Sequence, residues 1–212
     1  MNDQQPLMAA SAHERAGHTS ERGGRDAIRA FICIEVPATI KERIASLQEG
    51  LRGGGARTSW VKPSNIHLTL KFLGDVPAAK METVRLAVER AASPISGFVV
   101  GVEGAGCFPS PRNPRVLWVG LACIPESLKQ LHAAIEDALA REGFPRESKP
   151  FSPHLTIGRI RDPKGASRVA EDLIASGFEP ETFQAREVIL MRSDLNPEGS
   201  IYTPQAAIRL AG

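Results

Sequence analysis

No run of about 18 apolar residues occurs in the chain, so no membrane-spanning helix is expected. No charged-then-apolar leader opens it, so no secretory signal is expected. Cysteine is scarce: Cys33, Cys107 and Cys123 are the only three, and they lie far apart. That excludes a simple disulfide framework and any Cys-x-x-Cys metal or redox site. Each sits in an apolar run and is read as a reduced core residue, which implies a cytoplasmic setting. An excess of one charge is also missing. The 26 basic and 24 acidic residues leave a net charge of +2, too little to coat nucleic acid by bulk electrostatics. Neither GxGxxG nor a GxxxxGK loop followed by Ser or Thr appears, so the common phosphate-cradling turns are absent. No GxSxG nucleophile elbow appears either.

What is present suffices for a buried core. The chain has 212 residues, 42% of them hydrophobic, enough for one domain or one domain built from two similar halves. Arginine outnumbers lysine, 19 to 7. A guanidinium fork fits phosphate oxygens, although a general composition bias explains the skew equally well.

Residues 1–26 carry no apolar periodicity and are read as a disordered tail holding His13 and His18. The folded part, 27–212, is expected to be a single domain. Strands are expected at Ile28–Val36, Ile66–Gly74, Phe98–Val102, Val116–Leu121, His154–Ile160, Ala185–Arg192 and Ile201–Leu210. Helical spacing marks 38–51, 77–92, 125–142 and about 166–176. The last strands lack an intervening helix, which favours an α+β architecture with antiparallel pairing. The stretch from Gly104 to Arg115 is read as a loop.

Two segments are near copies: His67-Leu68-Thr69-Leu70 and His154-Leu155-Thr156-Ile157. With five histidines in the chain, one chance His-x-Thr is not expected, still less two sharing the central leucine. Each opens an alternating strand after a Pro/Ser turn. Residues i and i+2 of a strand face one side, so each His points with its Thr while the leucines point into a core. Packed face to face, two such lobes bring two His and two Thr to one cleft. A neutral imidazole accepts a proton and a protonated one donates it. Threonine hydroxyls can donate to non-bridging oxygens. This is a kit for metal-free phosphate ester cleavage, best suited to a strained cyclic phosphodiester. A metal site is the main chemical rival, but no acidic residue completes either motif.

The duplicated motif resembles that of the 2H phosphoesterase superfamily, and most closely the LigT-like RNA 2',3'-cyclic phosphodiesterases, also called 2'-5' RNA ligases. The resemblance runs over about 28–210. It includes Arg29-Ala30-Phe31-Ile32, Trp60 through Gly74, Pro150 through Arg159, and Ser193-x-Leu195 with Gly199 and Tyr202. It implies a bilobal, pseudo-twofold α+β fold, each lobe an antiparallel sheet flanked by helices, with the active cleft between them. It implies hydrolysis of RNA 2',3'-cyclic phosphate ends to 2'-phosphates without metal or cofactor, and a possible reverse 2'-5' ligation. His67 is then the proton donor, His154 the proton acceptor, and Thr69 and Thr156 hold the phosphate. A monomer is expected, because the two-lobed plan needs no partner.

Other residues stay open. Arg159 resembles an arginine common after the second motif, but its odd spacing points it away from the cleft unless a bulge intervenes. Lys71 has the parity to reach the rim or is simply solvated. Phe31 and Arg29 share a strand face and either bind substrate or pack. Trp60 is a base platform or a core residue, Trp118 is core or groove, and His132 is a surface helix residue. Competing functions are a phosphodiesterase for a small cyclic or 2'-5' linked nucleotide, and a non-enzymatic RNA-binding module.

Overall fold

The computed structural model describes residues 26–197 and 199–212; His13, His18 and the expected tail, Asp26 apart, lie outside them. Among the described residues there are nine strands and four α-helices, and every pairing between those strands is antiparallel.

β1 (Ala27–Glu35) is buried from Ala30 to Ile34. Pro37 caps it and opens α1 (Ala38–Leu51), whose Ile40, Ile44, Gln48 and Leu51 form the buried stripe. The short β2 (Thr58–Trp60) and a 3-10 turn at Pro63–Asn65 lead into β3 (His67–Pro77). α2 (Met81–Ala92) returns the chain to β4 (Phe98–Phe108) and β5 (Val116–Leu121). α3 (Glu126–Arg141) follows. It stops where Gly143 takes φ 88 and the Phe144 N–H returns to the Leu139 carbonyl, the left-handed C-terminal device that glycine makes cheap. β6 (Leu155–Ile160), α4 (Ala166–Ser176), β7 (Glu181–Ala185), β8 (Glu187–Asp194) and β9 (Ile201–Arg209) complete the chain.

The sheet order is β7-β4-β5-β6-β3-β1-β8-β9, with β2 beside β6. Its centre is one residue pair, Leu68 with Leu155. Each is the middle residue of a His-x-Thr motif, and both are buried. The sheet therefore divides into two half-sheets that touch where the two motifs touch. β1-α1-β3-α2 in one half repeats as β5-α3-β6-α4 in the other. The helices cover one face, α3 beside α2 and α1 beside α4.

Three readings of the sequence change. β4 runs on to Phe108, so only 109–115 is a loop. Gly106, which reads as loop, is the point where the Trp118 ring lies flat on the neighbouring strand; a Cβ there would sit 2.5 Å from it. The expected strand Ala185–Arg192 is two strands broken at Arg186. Cys33 and Cys107 are buried, but Cys123 is exposed, in the turn before α3.

Candidate active site

The antiparallel register through Leu68 and Leu155 sets His67 across from Thr156 and Thr69 across from His154. All four side chains are half-buried, while the leucines between them are fully covered. The expected alternation thus holds through each motif.

It breaks immediately after. Pairing of β1 with β3 slips between Lys71 and Thr69, leaving Leu70 as an extra residue. Pairing of β5 with β6 slips between Gly158 and Thr156, leaving Ile157 as an extra residue. A bulge reverses the facing of everything downstream. Leu70 and Lys71 are consequently both buried, and so are Ile157 and Gly158. Lys71 therefore neither reaches the rim nor meets solvent. It is 2% exposed, its Nζ donating to Glu136 Oε1 at 2.6 Å and to the Pro145 carbonyl at 2.9 Å. The same bulge in the second copy turns Arg159 toward the cleft, the geometry its spacing otherwise forbids.

Each bulge is braced from beneath by a buried polar side chain of a helix. Glu136, on α3, holds Lys71 beneath the first. Gln48, on α1, donates from Nε2 to the Ile157 carbonyl and to the Val61 carbonyl, both at 2.8 Å, beneath the second. Gly158 packs against Trp60, where a Cβ would stand 3.0 Å from the ring.

Both imidazoles are held alike. His67 Nδ1–H donates to the Asn65 carbonyl and His154 Nδ1–H to the Ser152 carbonyl, each at 2.7 Å. A carbonyl only accepts, so each neutral ring keeps its proton on Nδ1 and leaves the Nε2 lone pair for chemistry. Their surroundings differ. His67 stacks on Phe31 at 4.6 Å and meets the edge of Tyr202 at 5.4 Å. His154 meets Phe108 edge to face at 5.0 Å, its one ring contact among the described residues. Burial pulls His67 down to about 4, with the Asn65 bond opposing and the Lys41 charge assisting. Burial also lowers His154, with the Ser152 bond opposing and Arg159 assisting.

A cavity of about 340 Å³ gathers His67, Thr69, Thr156, Arg159, Arg29 and Phe31. Phe72, 57% exposed, lines it too, as do Ser193, Leu195 and Tyr202. His154 stands outside this lining, two residues along the strand from Thr156. Trp60 lies in the adjoining groove, its ring between Gly158 and the Arg52 guanidinium, which is 5.9 Å from the centroid. Phe31 is 2% exposed, so it underlies His67. His132 stacks on Phe151 at 3.8 Å and Trp118 packs on Phe108 at 5.3 Å, so both are packing residues. A larger cavity of about 770 Å³ by the chain end contains no motif residue. Among the described residues, no group of three or more His, Cys, Asp or Glu is placed to hold a metal ion. No helix there is long and apolar enough to cross a membrane.

Sequence reasoning from the motifs alone misses Phe72, Asn65, Gln48 and Glu136. Phe72 was findable: HxTxxF in one copy stands where HxTxxR stands in the other.

One His-x-Thr strand from each half of a two-lobed α+β fold, meeting at a shared pair, defines the two-histidine phosphoesterase class. The chain belongs to the 2'-5' RNA ligase superfamily, which it matches over residues 36–197. It is 34% identical over 185 residues to the RNA 2',3'-cyclic phosphodiesterase of Methanothermobacter thermautotrophicus, covering 86% of this chain and 99% of that one. It is 32% identical to that of Thermotoga maritima, over 82% of this chain and 91% of that one. Escherichia coli LigT, solved with 3'-AMP, superimposes with a TM-score of 0.68 at 29% identity, covering 87% of this chain and 98% of that one.

Proposed function

We propose that this protein hydrolyses RNA 2',3'-cyclic phosphate ends to 2'-phosphomonoesters, with His67 as the proton donor and His154 as the proton acceptor. The observation that carries the reading is the matched presentation of two imidazoles. Each has its Nδ1 locked on a backbone carbonyl and its Nε2 left open, and each stands across the shared strand pair from the other motif's threonine. The naming of these relatives as RNA 2',3'-cyclic phosphodiesterases supports the substrate.

His154 Nε2 takes a proton from water as it attacks phosphorus. His67 Nε2–H gives one to the departing 3'-oxygen, and the ring opens to a 2'-phosphate. Thr69, Thr156 and Arg159 hold the non-bridging oxygens as charge builds. Both rings are neutral at pH 7 in the free protein, so the acid gains its proton together with the anionic substrate, whose charge favours the imidazolium. Phe31 supports the His67 ring from below. Phe72 offers an exposed ring face to the terminal base, a contact every base can make. Arg29 adds a cation at the rim. The reverse, joining a cyclic end to a 5'-hydroxyl through a 2'-5' linkage, uses the same groups but is opposed by water in excess.

The test is incubation of the purified protein in EDTA with a short RNA ending in a 2',3'-cyclic phosphate, followed by mass and end analysis. A 2'-phosphate product supports the reading. A 3'-phosphate product, or a requirement for added metal, overturns it.

A further inference from the structure

The motif cavity does not end at its own wall. Val61, Asn65, Arg159, Leu195, Ser200 and Tyr202 line both it and a second groove of about 510 Å³. The second groove adds Trp60, Lys62 and Arg161. Three cations, Lys62, Arg159 and Arg161, thus follow one continuous channel, all exposed. None makes an ion pair with a carboxylate among the described residues. Arg161 is also fixed in place. Its Nε donates to Ser59 Oγ at 2.8 Å, and its backbone N–H donates to the Arg57 carbonyl. Arg159 and Arg161 are two residues apart, roughly 6.5–7 Å along an extended chain.

Three cations without carboxylate partners along one groove, continuous with the motif cavity, fit a phosphate backbone better than a single small anion. We propose that this groove binds the sugar-phosphate chain of the nucleotides next to the reactive end, with Lys62 and Arg161 each taking a phosphate. The preferred substrate is then a single-stranded oligonucleotide rather than a nucleoside cyclic phosphate. This rests on the hydrolysis proposed above and specifies its substrate class.

The experiment compares a nucleoside 2',3'-cyclic phosphate with a tetranucleotide carrying the same terminal base and cyclic end. The wild-type protein and a Lys62→Ala/Arg161→Gln variant act on both. The wild type should favour the tetranucleotide by at least about tenfold in KM. The variant should lose most of that preference while hydrolysing the nucleoside cyclic phosphate as the wild type does, which also reports an intact fold. The logarithmic salt dependence of KM for the tetranucleotide should fall by about 1.4, the share of two single-strand phosphate contacts. Equal KM for the two substrates in the wild type, or an equal change in both in the variant, overturns the groove. Absence of hydrolysis of either substrate by the wild type overturns the underlying reaction instead, so the two failures are separable.

Discussion

Leu70 and Ile157 each occupy a bulge one residue past the motif threonine, yet the bulges turn different residues outward: Phe72 in one half and Arg159 in the other. Beneath them the braces also differ, a buried Lys71–Glu136 ion pair in one half and a neutral Gln48 amide in the other. The backbone of the two motifs is a near copy, down to the carbonyl two residues before each histidine. The side chains beyond are not. A duplicated backbone can therefore supply two equivalent proton-transfer groups, while the residues one step past each bulge make the ends of the cleft unlike, apolar and aromatic at one side and cationic at the other. That asymmetry orients a substrate with a base at one end and a phosphate at the other.

Breaking the equivalent parts should give the largest effect. His67→Ala and His154→Ala should each lower kcat on a cyclic-ended RNA by about 10²- to 10⁴-fold. Near-wild-type turnover in either would end the paired-histidine mechanism. The braces come next and should separate by charge. Lys71→Met leaves Glu136 buried without its partner and should lower unfolding stability by about 3–5 kcal/mol, read from urea titration. Gln48→Leu removes the side-chain donor from the Val61 and Ile157 carbonyls, of which Ile157 keeps the Val61 N–H, and should cost about 1–3 kcal/mol. An equal loss in both would mean the two braces do not differ as described.

Removing the aromatic end is a smaller change. Phe72→Ala should raise KM about tenfold, in keeping with about 1–3 kcal/mol for a stacked base, with kcat little altered. A fall in kcat alone would place Phe72 in the chemistry rather than in binding. The subtlest comparison is between the two imidazoles. Burial lowers both rings from 6.5, His67 to about 4, so the form of the free protein with one imidazole protonated and the other neutral is best populated on the acid side of 6.5. The kcat/KM profile should therefore be a bell whose maximum lies on the acid side of pH 6.5. An optimum above pH 7 would contradict the burial of the two rings.

Much of this was legible in the sequence. Helical spacing through Ile40, Ile44 and Leu51 gave α1 at its true limits, because a buried helix must repeat apolar residues every three to four positions. The facing of His67 with Thr69 followed from strand pleating alone. What failed was the extension of that rule past the threonine. No residue type announces a bulge at Leu70 or Ile157, so strand parity alone set Lys71 toward the rim or solvent and left Arg159 facing away from the cleft unless a bulge intervened; the bulges bury Lys71 and bring Arg159 to the cavity. Glu136 was invisible for another reason: its partner lies 65 residues away, and only the packed fold brings them together. β7 went unseen because Glu181–Ala185 is short and half polar, and its strand character comes from pairing with β4.

The strand order also governs how the molecule comes into being. β4, β5, β6 and β7 are neighbours along the chain as well as in the sheet, so their half can pair as it leaves the ribosome. β1 emerges first but takes as its flanking strand β8, residues 187–194, which emerges almost last. Phe31 and Cys33, which face Met191 and Ile189 in the finished protein, must wait uncovered for nearly the whole of synthesis. The covering of Phe31, on which His67 stacks, is thus completed late, and a chain cut short before Glu187 keeps both motifs but leaves Phe31 bare on its β8 side.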